Sequence, residues 1–272
     1  MHNKSLFISN LAWNNKDFKS ITKLFTKHKK VKGIDIAPLK ISKNWHNIEQ
    51  KIKKFNLILK KKKIKVNALQ GIFYKTNLNI FEDYKNNFKK IFNHTNKIIK
   101  ICKILKCRKI IIGSSSFRNP KNLSKKEAEL IFLDFLKKST KFLKKSKIYF
   151  CIETIPREYN ELFLYNINTL AKIIKKTNSR WIKINFDTSL YHYKNMNKFI
   201  FLKNIKLIKN IQITEKNFSF FENISKKNIL FYNLIKNKKE IKDISLEIIS
   251  NKTNLKKMDA ALNKVCNLLA GD

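Results

Sequence analysis

Short apolar runs rich in β-branched residues alternate along the chain with longer segments whose apolar residues recur at helical spacing. This alternation is typical of repeated βα units, in which a helix follows each strand. The chain contains eight such runs. The predicted strands are Leu6–Ser9, Val31–Ile36, Lys65–Leu69, Lys109–Ile112, Ile148–Ile152, Trp181–Phe186, Asn210–Ile213 and Ile244–Ile248.

Helices are predicted between and after these strands. Their ranges are Asp17–Lys29, Asn47–Lys60, Tyr84–Leu105, Lys125–Lys145, Ile167–Lys176, Lys198–Ile208, Asn228–Ile235 and Leu255–Leu269. Start signals support two of them, because Ser124 and Glu127 have the spacing of a capping box and Asn14 and Asn15 precede the first helix. No Pro/Gly/Ser-rich linker interrupts this series of elements.

The length and the repeat together predict the fold class. Eight βα units in 272 residues match a closed parallel barrel, which commonly forms one domain of about 250 residues. An open, doubly wound sheet is the minor alternative, but the chain has neither a GxGxxG nor a GxxxxGK[ST] loop and only 4 glycines. We predict an α/β fold, a single (β/α)8 TIM barrel over residues 1–272.

The formal charge of +41 raises the question of a polyanionic partner. Only 4 of the 60 basic residues are arginine, and the lysines are spread along the chain. Lysine suits solvated helix faces, since it buries its aliphatic stem and keeps its ammonium group in water. We interpret the charge as a solvated surface and expect no specific nucleic-acid partner.

The 4 cysteines show no CxxC spacing, which favours a reduced, cytoplasmic protein. The first residues do not have the pattern of a signal peptide. No apolar run approaches the roughly 20 residues that span a bilayer, so no membrane association is expected. The basic surface and the long helices fit a monomer or a homodimer equally well.

Carboxylates stand at the ends of several predicted strands, where barrel enzymes carry their catalytic residues. Glu153 ends strand five, Asp187 ends strand six and Glu247 lies in strand eight, while Gln212 and Glu215 belong to strand seven. A carboxylate in an apolar strand is costly to bury unless a cation or a proton compensates it. Each one alone fits a structural ion pair equally well. Together they suggest a shared divalent metal, and oxygen ligands favour Mg²⁺ or Mn²⁺.

Eight segments of the chain carry a resemblance to a known family. They are NLAW at 10–13, GIDIAP at 33–38, ALQGIFY at 68–74, IIIGSSSFRNP at 110–120, IETIPREYN at 152–160, NFDTS at 185–189, QITE at 212–215 and SLEI at 245–248. In this order, at strand ends, they resemble the sugar phosphate isomerases/epimerases with a xylose-isomerase-like TIM barrel, over essentially the full length. The resemblance implies carbohydrate metabolism and a small carbohydrate or sugar phosphate as substrate.

The resemblance also implies a metal site built from a Glu, an Asp, a His and a second Glu on strands five to eight. At these positions the chain has Glu153, Asp187, Gln212 and Glu247, so a glutamine stands where the family has histidine. The implied cofactor is Mn²⁺ or Mg²⁺. Glu153 and Glu247 are the implied catalytic pair, which would move a proton at the carbon next to a carbonyl through an enediolate.

Six further side chains are expected to bind the substrate. They are Trp13, Phe73, Arg118, Glu158, His192 and Lys216. Arg118 and Lys216 would bind a phosphate or carboxylate, and Trp13 and Phe73 would lie against the apolar face of a sugar. His192 would replace a histidine that the family has closer to the strand-six aspartate.

Two other classes of protein remain open. The first is a catalytically degenerate barrel that binds a sugar or a protein partner, for which Gln212 is the best argument. The second is an abasic-site endonuclease, which shares this barrel and would use the positive charge. It is disfavoured because that chemistry needs a histidine-rich three-zinc cluster, and the 5 histidines do not fall at predicted strand ends.

Overall fold

The computed structural model describes residues 4–193 and 198–270. Eight parallel strands close into a barrel in sequence order. They are β1 Ser5–Ser9, β2 Val31–Ile36, β3 Lys65–Leu69, β4 Lys109–Ile112, β5 Tyr149–Glu153, β6 Ile182–Asp187, β7 Ile208–Thr214 and β8 Asp243–Glu247. The predicted (β/α)8 barrel is confirmed.

Helices lie outside the barrel and connect its strands. They are α1 Phe18–Lys27, α2 Pro38–Ile41, α3 Ile48–Lys61, α4 Tyr84–Leu105, α5 Lys125–Ser146, α6 Ile167–Thr177, α7 Ser189–Tyr193, α8 Lys198–Asn204, α9 Lys226–Ile235 and α10 Leu255–Ala270. The capping box at the start of α5 forms as predicted: the Ser124 side chain accepts from the Glu127 amide, and the Glu127 carboxylate accepts from the Ser124 amide. None of the helices in the described part of the chain has the length and apolar character needed to cross a membrane.

Several boundaries differ from the predicted ones by one or two residues, and in two places a 3-10 turn replaces part of a predicted helix. The predicted helix Lys198–Ile208 ends at Asn204, and Ile205–Leu207 forms a 3-10 turn that leads directly into β7. Apolar residues in this stretch satisfy helical and strand spacing equally, so the sequence pattern alone does not separate the two. At the start of the chain, a 3-10 turn at Asn15–Asp17 delays α1 until Phe18.

The strands present apolar side chains outward, and their inward side chains are mostly polar apart from a small apolar cluster of Ala68, Ile111 and Cys151. On β6, Ile184 and Phe186 belong to the large apolar core between the sheet and the helices. Asn185 and Asp187 alternate with them and are buried on the barrel side. The apolar core thus surrounds the barrel.

Polar side chains meet across the barrel interior. Asn67 of β3 donates to Asn210 of β7 on the opposite wall, over 3.1 Å, and to Asp35 of β2 over 2.7 Å. Where the strands begin, Lys109 of β4 lies 3.3 Å from Asp243 of β8. Interiors of such barrels are usually filled by branched apolar residues, so this hydrogen-bonded interior is unusual.

Strand register brings the strand ends into contact. Glu153 pairs with Asn185 between β5 and β6, and Asp187 pairs with Gln212 between β6 and β7. Glu247 of β8 pairs with Thr214 of β7. Acidic and amide side chains from consecutive strands therefore gather at the carboxyl end of the barrel.

Candidate active site

Three carboxylates meet at the carboxyl ends of β5, β6 and β8. One oxygen each from Glu153, Asp187 and Glu247 can be chosen so that all three lie within 4.8 Å of one another. Asp187 and Glu247 are buried, and Glu153 is half-buried. The structure thus brings together the three carboxylates that the sequence placed at strand ends.

The negative charges of this cluster are largely uncompensated. Within residues 4–193 and 198–270, none of the three forms a salt bridge. Burial raises the pKa of Glu153 and of Glu247 well above the usual range, and the negative charge of Asp187 raises both further. Burial also raises the pKa of Asp187. Negative charges that are buried close together favour either protonation of a carboxylate or the binding of a cation.

The oxygen atoms fit a divalent cation. Asp187 accepts a 2.7 Å hydrogen bond from the backbone amide of Ser189 through Oδ1. Its Oδ2 is buried and has no hydrogen-bond partner among the described residues. Buried polar atoms are nearly always paired, so this oxygen is available to a ligand. An all-oxygen set of this kind suits Mg²⁺ or Mn²⁺.

A glycine makes room for one of the carboxylates. Gly113 follows β4, and a Cβ atom at this position would lie 2.0 Å from Oε2 of Glu153 and 3.3 Å from its Cβ. Any larger residue would push the carboxylate away from the cluster. The glycine is therefore part of the geometry of the site.

Gln212, the expected fourth ligand, lies beside the carboxylates but is engaged by two other amides. Its Oε1 accepts from Asn185 over 2.5 Å, and its Nε2 donates to Oε1 of Gln70 over 3.1 Å. Gln70 in turn donates to Oε1 of Glu247 over 2.9 Å. The glutamine that replaces the family histidine is thus connected to Glu247 through a second glutamine.

A cavity of about 620 Å³ opens above the cluster, with Glu153, Gln212 and Glu247 at its polar end. Phe73, one of the predicted substrate-binding residues, is among the residues that line it. Phe73 is held in place by stacking on Phe117, with ring centroids 3.6 Å apart and planes 2° apart. Mostly apolar walls with a few converging polar groups are typical of small-molecule sites.

Arg118 and Trp13 do not reach this cavity. Arg118 is fully buried, and its Nε and Nη2 donate to Oε2 of Glu161 over 2.8 and 2.7 Å. Its charge is already neutralised, so it is not available to a phosphate. Trp13 is fully buried as well and packs against Phe18 and Phe25, both with ring centroids 6.2 Å away.

The other three expected substrate residues are not among those that line the cavity. Glu158 and Lys216 lie on exposed 3-10 turns that follow β5 and β7. His192 lies on α7 and donates through Nε2 to the carbonyl oxygen of Thr214 over 2.8 Å. These loops surround the mouth of the barrel, so the residues lie near the site without contributing to its lining.

Sequence reasoning missed several residues that line the cavity. Gln70 directly follows β3, and Lys40 lies on α2 after β2. Tyr159 lines the cavity from the turn after β5, where its hydroxyl accepts from the Tyr193 hydroxyl over 3.0 Å. Gln70 carries the same signal as the carboxylates, a polar residue that terminates an apolar strand. Lys40 and Tyr159 have no such signal.

The described histidines do not gather at the barrel mouth. His28 contacts Asp259 over 2.7 Å, and His94 lies 2.6 Å from the carbonyl oxygen of Ile72. His46 is exposed, and His2 lies outside the described residues. Among the described residues, the group of metal-ligating type is the three-carboxylate cluster, which contains no histidine.

Comparison with known proteins places the chain among α/β barrels of one type. Residues 29–227 match the model of the xylose isomerase-like TIM barrel family. No curated protein matches the sequence. The match covers far more than half of the chain, and it agrees with the resemblance seen in the sequence motifs.

Solved structures share the fold at low sequence identity. A crystal structure of the IolI protein with a bound zinc atom has a TM-score of 0.74 at 12% identity and covers 98% of each chain. D-psicose 3-epimerase from Clostridium cellulolyticum H10, solved with D-tagatose, also has a TM-score of 0.74 at 12% identity, over 98% of this chain and 97% of its own. An AP endonuclease of family 2 from Brucella melitensis has a TM-score of 0.74 at 9% identity, over 94% and 96%.

These likenesses establish a common architecture for a sugar epimerase, a zinc-containing protein and an endonuclease. Such low identities establish no common activity, since one fold serves many chemistries. What the family match and the closed barrel show together is membership: the chain belongs to the xylose isomerase-like TIM barrel family.

Proposed function

We propose that this protein is a divalent-metal-dependent isomerase or epimerase that acts on a sugar or sugar phosphate. The observation that carries the proposal is the cluster of Glu153, Asp187 and Glu247, which forms no salt bridge within the described residues and borders a cavity of about 620 Å³. The family and the similarity in fold to D-psicose 3-epimerase support the same class of reaction. Mn²⁺ or Mg²⁺ is the proposed cofactor, with these three carboxylates as ligands.

The proposed reaction moves a proton at the carbon next to a carbonyl. A divalent ion at the cluster would polarise the carbonyl and stabilise negative charge that develops on the substrate oxygens. Glu153 of β5 and Glu247 of β8 border the cavity from separate strands, so one can remove a proton and the other return one.

The cavity walls suit a sugar with an apolar face. Phe73 and Phe218 line the cavity, and an aromatic ring packs well against the C–H face of a sugar. Lys40 is a cationic lining residue, whereas Arg118 is neutralised and Lys216 lies outside the lining. A phosphate group on the substrate would therefore meet Lys40. Replacement of Lys40 by Gln should reduce the affinity for a phosphorylated substrate more than the affinity for the corresponding free sugar.

The first test is calorimetric titration of the metal-stripped protein with Mn²⁺. The wild type should bind one ion, and Glu153→Gln should bind it at least tenfold more weakly, since one ligand loses its charge. Glu240→Gln is a matched control, because Glu240 is exposed and precedes β8 at the opposite end of the barrel. Absence of binding by the wild type at millimolar Mn²⁺ would exclude the metal centre.

The second test detects proton transfer without knowledge of the product. Ketoses and aldoses, free and phosphorylated, are incubated with the Mn²⁺-loaded protein in D₂O and followed by NMR. A true substrate should lose the hydrogen on the carbon next to its carbonyl to solvent deuterium. The exchange should disappear in Glu153→Gln and persist in Glu240→Gln.

The alternative is a degenerate barrel that binds a sugar or a protein partner without turnover. The observation in its favour is Gln212, which stands where the family has a histidine ligand and is occupied by Asn185 and Gln70. Metal binding without deuterium exchange in any sugar would favour this alternative. An endonuclease activity is less well supported, because the described histidines lie apart from the cluster.

A further inference from the structure

Side-chain amides form a continuous chain through the barrel interior and end at Glu247. We call Asn67, Asn210, Asn185, Gln212 and Gln70 the amide chain. Each member donates to the oxygen of the next, over distances between 2.5 and 3.1 Å. All five are buried. The last one, Gln70, donates to Glu247 and also to the hydroxyl of Ser9 over 3.0 Å.

The chain begins at Asp35 of β2. The amide nitrogen of Asn67 donates to Oδ1 of Asp35 over 2.7 Å. The same nitrogen donates to Oδ1 of Asn210, which leaves the Asn210 nitrogen free to donate to Asn185 over 2.8 Å. A reversed amide anywhere would set two oxygens or two nitrogens against each other. In this arrangement Glu247 accepts the last hydrogen bond, from Gln70.

Gln212 is the link that joins the two halves of the site. Toward β6 it accepts from Asn185, the register partner of Glu153. Toward β8 it holds Gln70, which holds Glu247. Both polar atoms of Gln212 are thus used within the chain, whereas Oδ2 of Asp187 is left without a partner.

We infer that Gln212 and Gln70 are positioning residues: the amide chain fixes the Glu247 carboxylate at the metal site, and Gln212 does not bind the metal itself. This inference rests on the proposed metal centre. Partners that orient metal ligands typically contribute ten- to hundredfold to metal affinity. Gln70, which contacts a proposed ligand without being one, should therefore control Mn²⁺ binding.

The test is a double-mutant cycle read by Mn²⁺ titration of the full-length, metal-stripped protein. Gln70→Met and Gln212→Met keep the shape of the side chain and remove its hydrogen bonds. Each should weaken Mn²⁺ binding at least tenfold, and the double variant should lose little more than either single one, because both act through one contact. If Gln212 were a ligand and the chain irrelevant, Gln70→Met would bind as the wild type does.

Two control variants distinguish a general loss of folding from a displacement of the Glu247 carboxylate. Asn204→Leu removes a buried amide that donates to Ile200 outside the barrel, and it should keep wild-type Mn²⁺ affinity. Gln70→Asn retains an amide one methylene shorter and serves if the methionine variants fail to fold. Additive losses in the cycle, or unchanged affinity in both Gln70 variants, would overturn the inference and leave the metal centre intact. Absence of Mn²⁺ binding by the wild type would overturn both.

Discussion

Two acidic sites lie near the carboxyl end of this barrel, and they differ in what surrounds their carboxylates. One is the ion pair of Glu161 with Arg118, and the other is the three-carboxylate cluster. Glu161 accepts two hydrogen bonds from Arg118 and two more from the backbone amides of Phe163 and Leu164, at 2.7 to 3.0 Å. Both members of this ion pair are fully buried. Each oxygen of Glu161 thus has its partners, and the charge of the pair is zero.

The cluster of Glu153, Asp187 and Glu247 has no comparable compensation. Burial raises the pKa of all three carboxyl groups, Asp187 raises the pKa of both glutamates further, and Oδ2 of Asp187 lacks a partner among the described residues. A buried charge with a complete set of partners is explained by structure alone, whereas an incomplete set marks a place where something binds. The difference separates a structural pair from a site better than burial does.

The largest expected effect is a loss of turnover when a glutamate of the three-carboxylate cluster is replaced. Glu153→Gln and Glu247→Gln should each reduce turnover by about 10²- to 10⁴-fold, the usual contribution of a general acid or base. Far-ultraviolet circular dichroism should remain that of the wild type. The measurement is the initial rate on the substrate that exchanges deuterium, with Glu240→Gln as control. Full activity in both variants would rule out the proposed pair.

The next largest effect is a loss of stability when the Arg118–Glu161 ion pair is broken. Arg118→Met leaves the buried Glu161 carboxylate without its cation and should reduce the free energy of unfolding by about 3–5 kcal/mol. Urea denaturation measures the change. The double variant Arg118→Met with Glu161→Gln should recover part of the loss, since the remaining amide oxygen still accepts from Phe163 and Leu164. A loss below about 1 kcal/mol in the single variant would show that the pair is not structurally important.

The two groups also differ in how far the sequence could predict them. Glu153, Asp187 and Glu247 each interrupt or end an apolar strand, and parallel strands of a barrel all end on one side. Their convergence follows from the fold class. The partner of Arg118 does not, because Glu161 lies 43 residues away on a loop without periodicity. From the sequence alone, the position of Arg118 after a strand therefore suggested a phosphate-binding residue and not a buried ion pair.

The sequence pattern indicates part of the polar barrel interior. The alternation of apolar and polar residues along β6, with Asn185 and Asp187 between Ile184 and Phe186, indicates one apolar and one polar face. The pairing of these amides across the barrel requires the register of opposite strands, which spacing does not supply. The burial of Trp13 likewise depends on helix packing beyond the strand end.

A smaller effect is expected from a change that leaves every carboxylate in place. Gly113→Ala would place a methyl group 2.0 Å from Oε2 of Glu153, so the carboxylate must rotate away. Mn²⁺ affinity should fall roughly tenfold by calorimetric titration, with little loss of stability because the clash falls on the end of a side chain. Gly33→Ala is the contrasting variant, since its methyl group would meet the backbone oxygen of Lys65 at 1.8 Å and should reduce stability instead. Unchanged Mn²⁺ affinity in Gly113→Ala would show that Glu153 tolerates displacement.

The smallest effect concerns the metal-free protein. Because the folded-state pKa of Glu247 is raised, its favourable contribution is present below the unfolded-state pKa and is lost as pH rises through the folded-state value. Residue 247 does not titrate in Glu247→Gln, so the metal-free variant should exceed the wild type in unfolding free energy at pH 8, and the excess should disappear near pH 4. Saturating Mn²⁺ should reverse the order at pH 8, because the ion stabilises the form that binds it. Urea denaturation with and without Mn²⁺ measures both. Equal stabilities of wild type and variant at pH 8 without metal would mean that Glu247 is compensated as fully as Glu161 is.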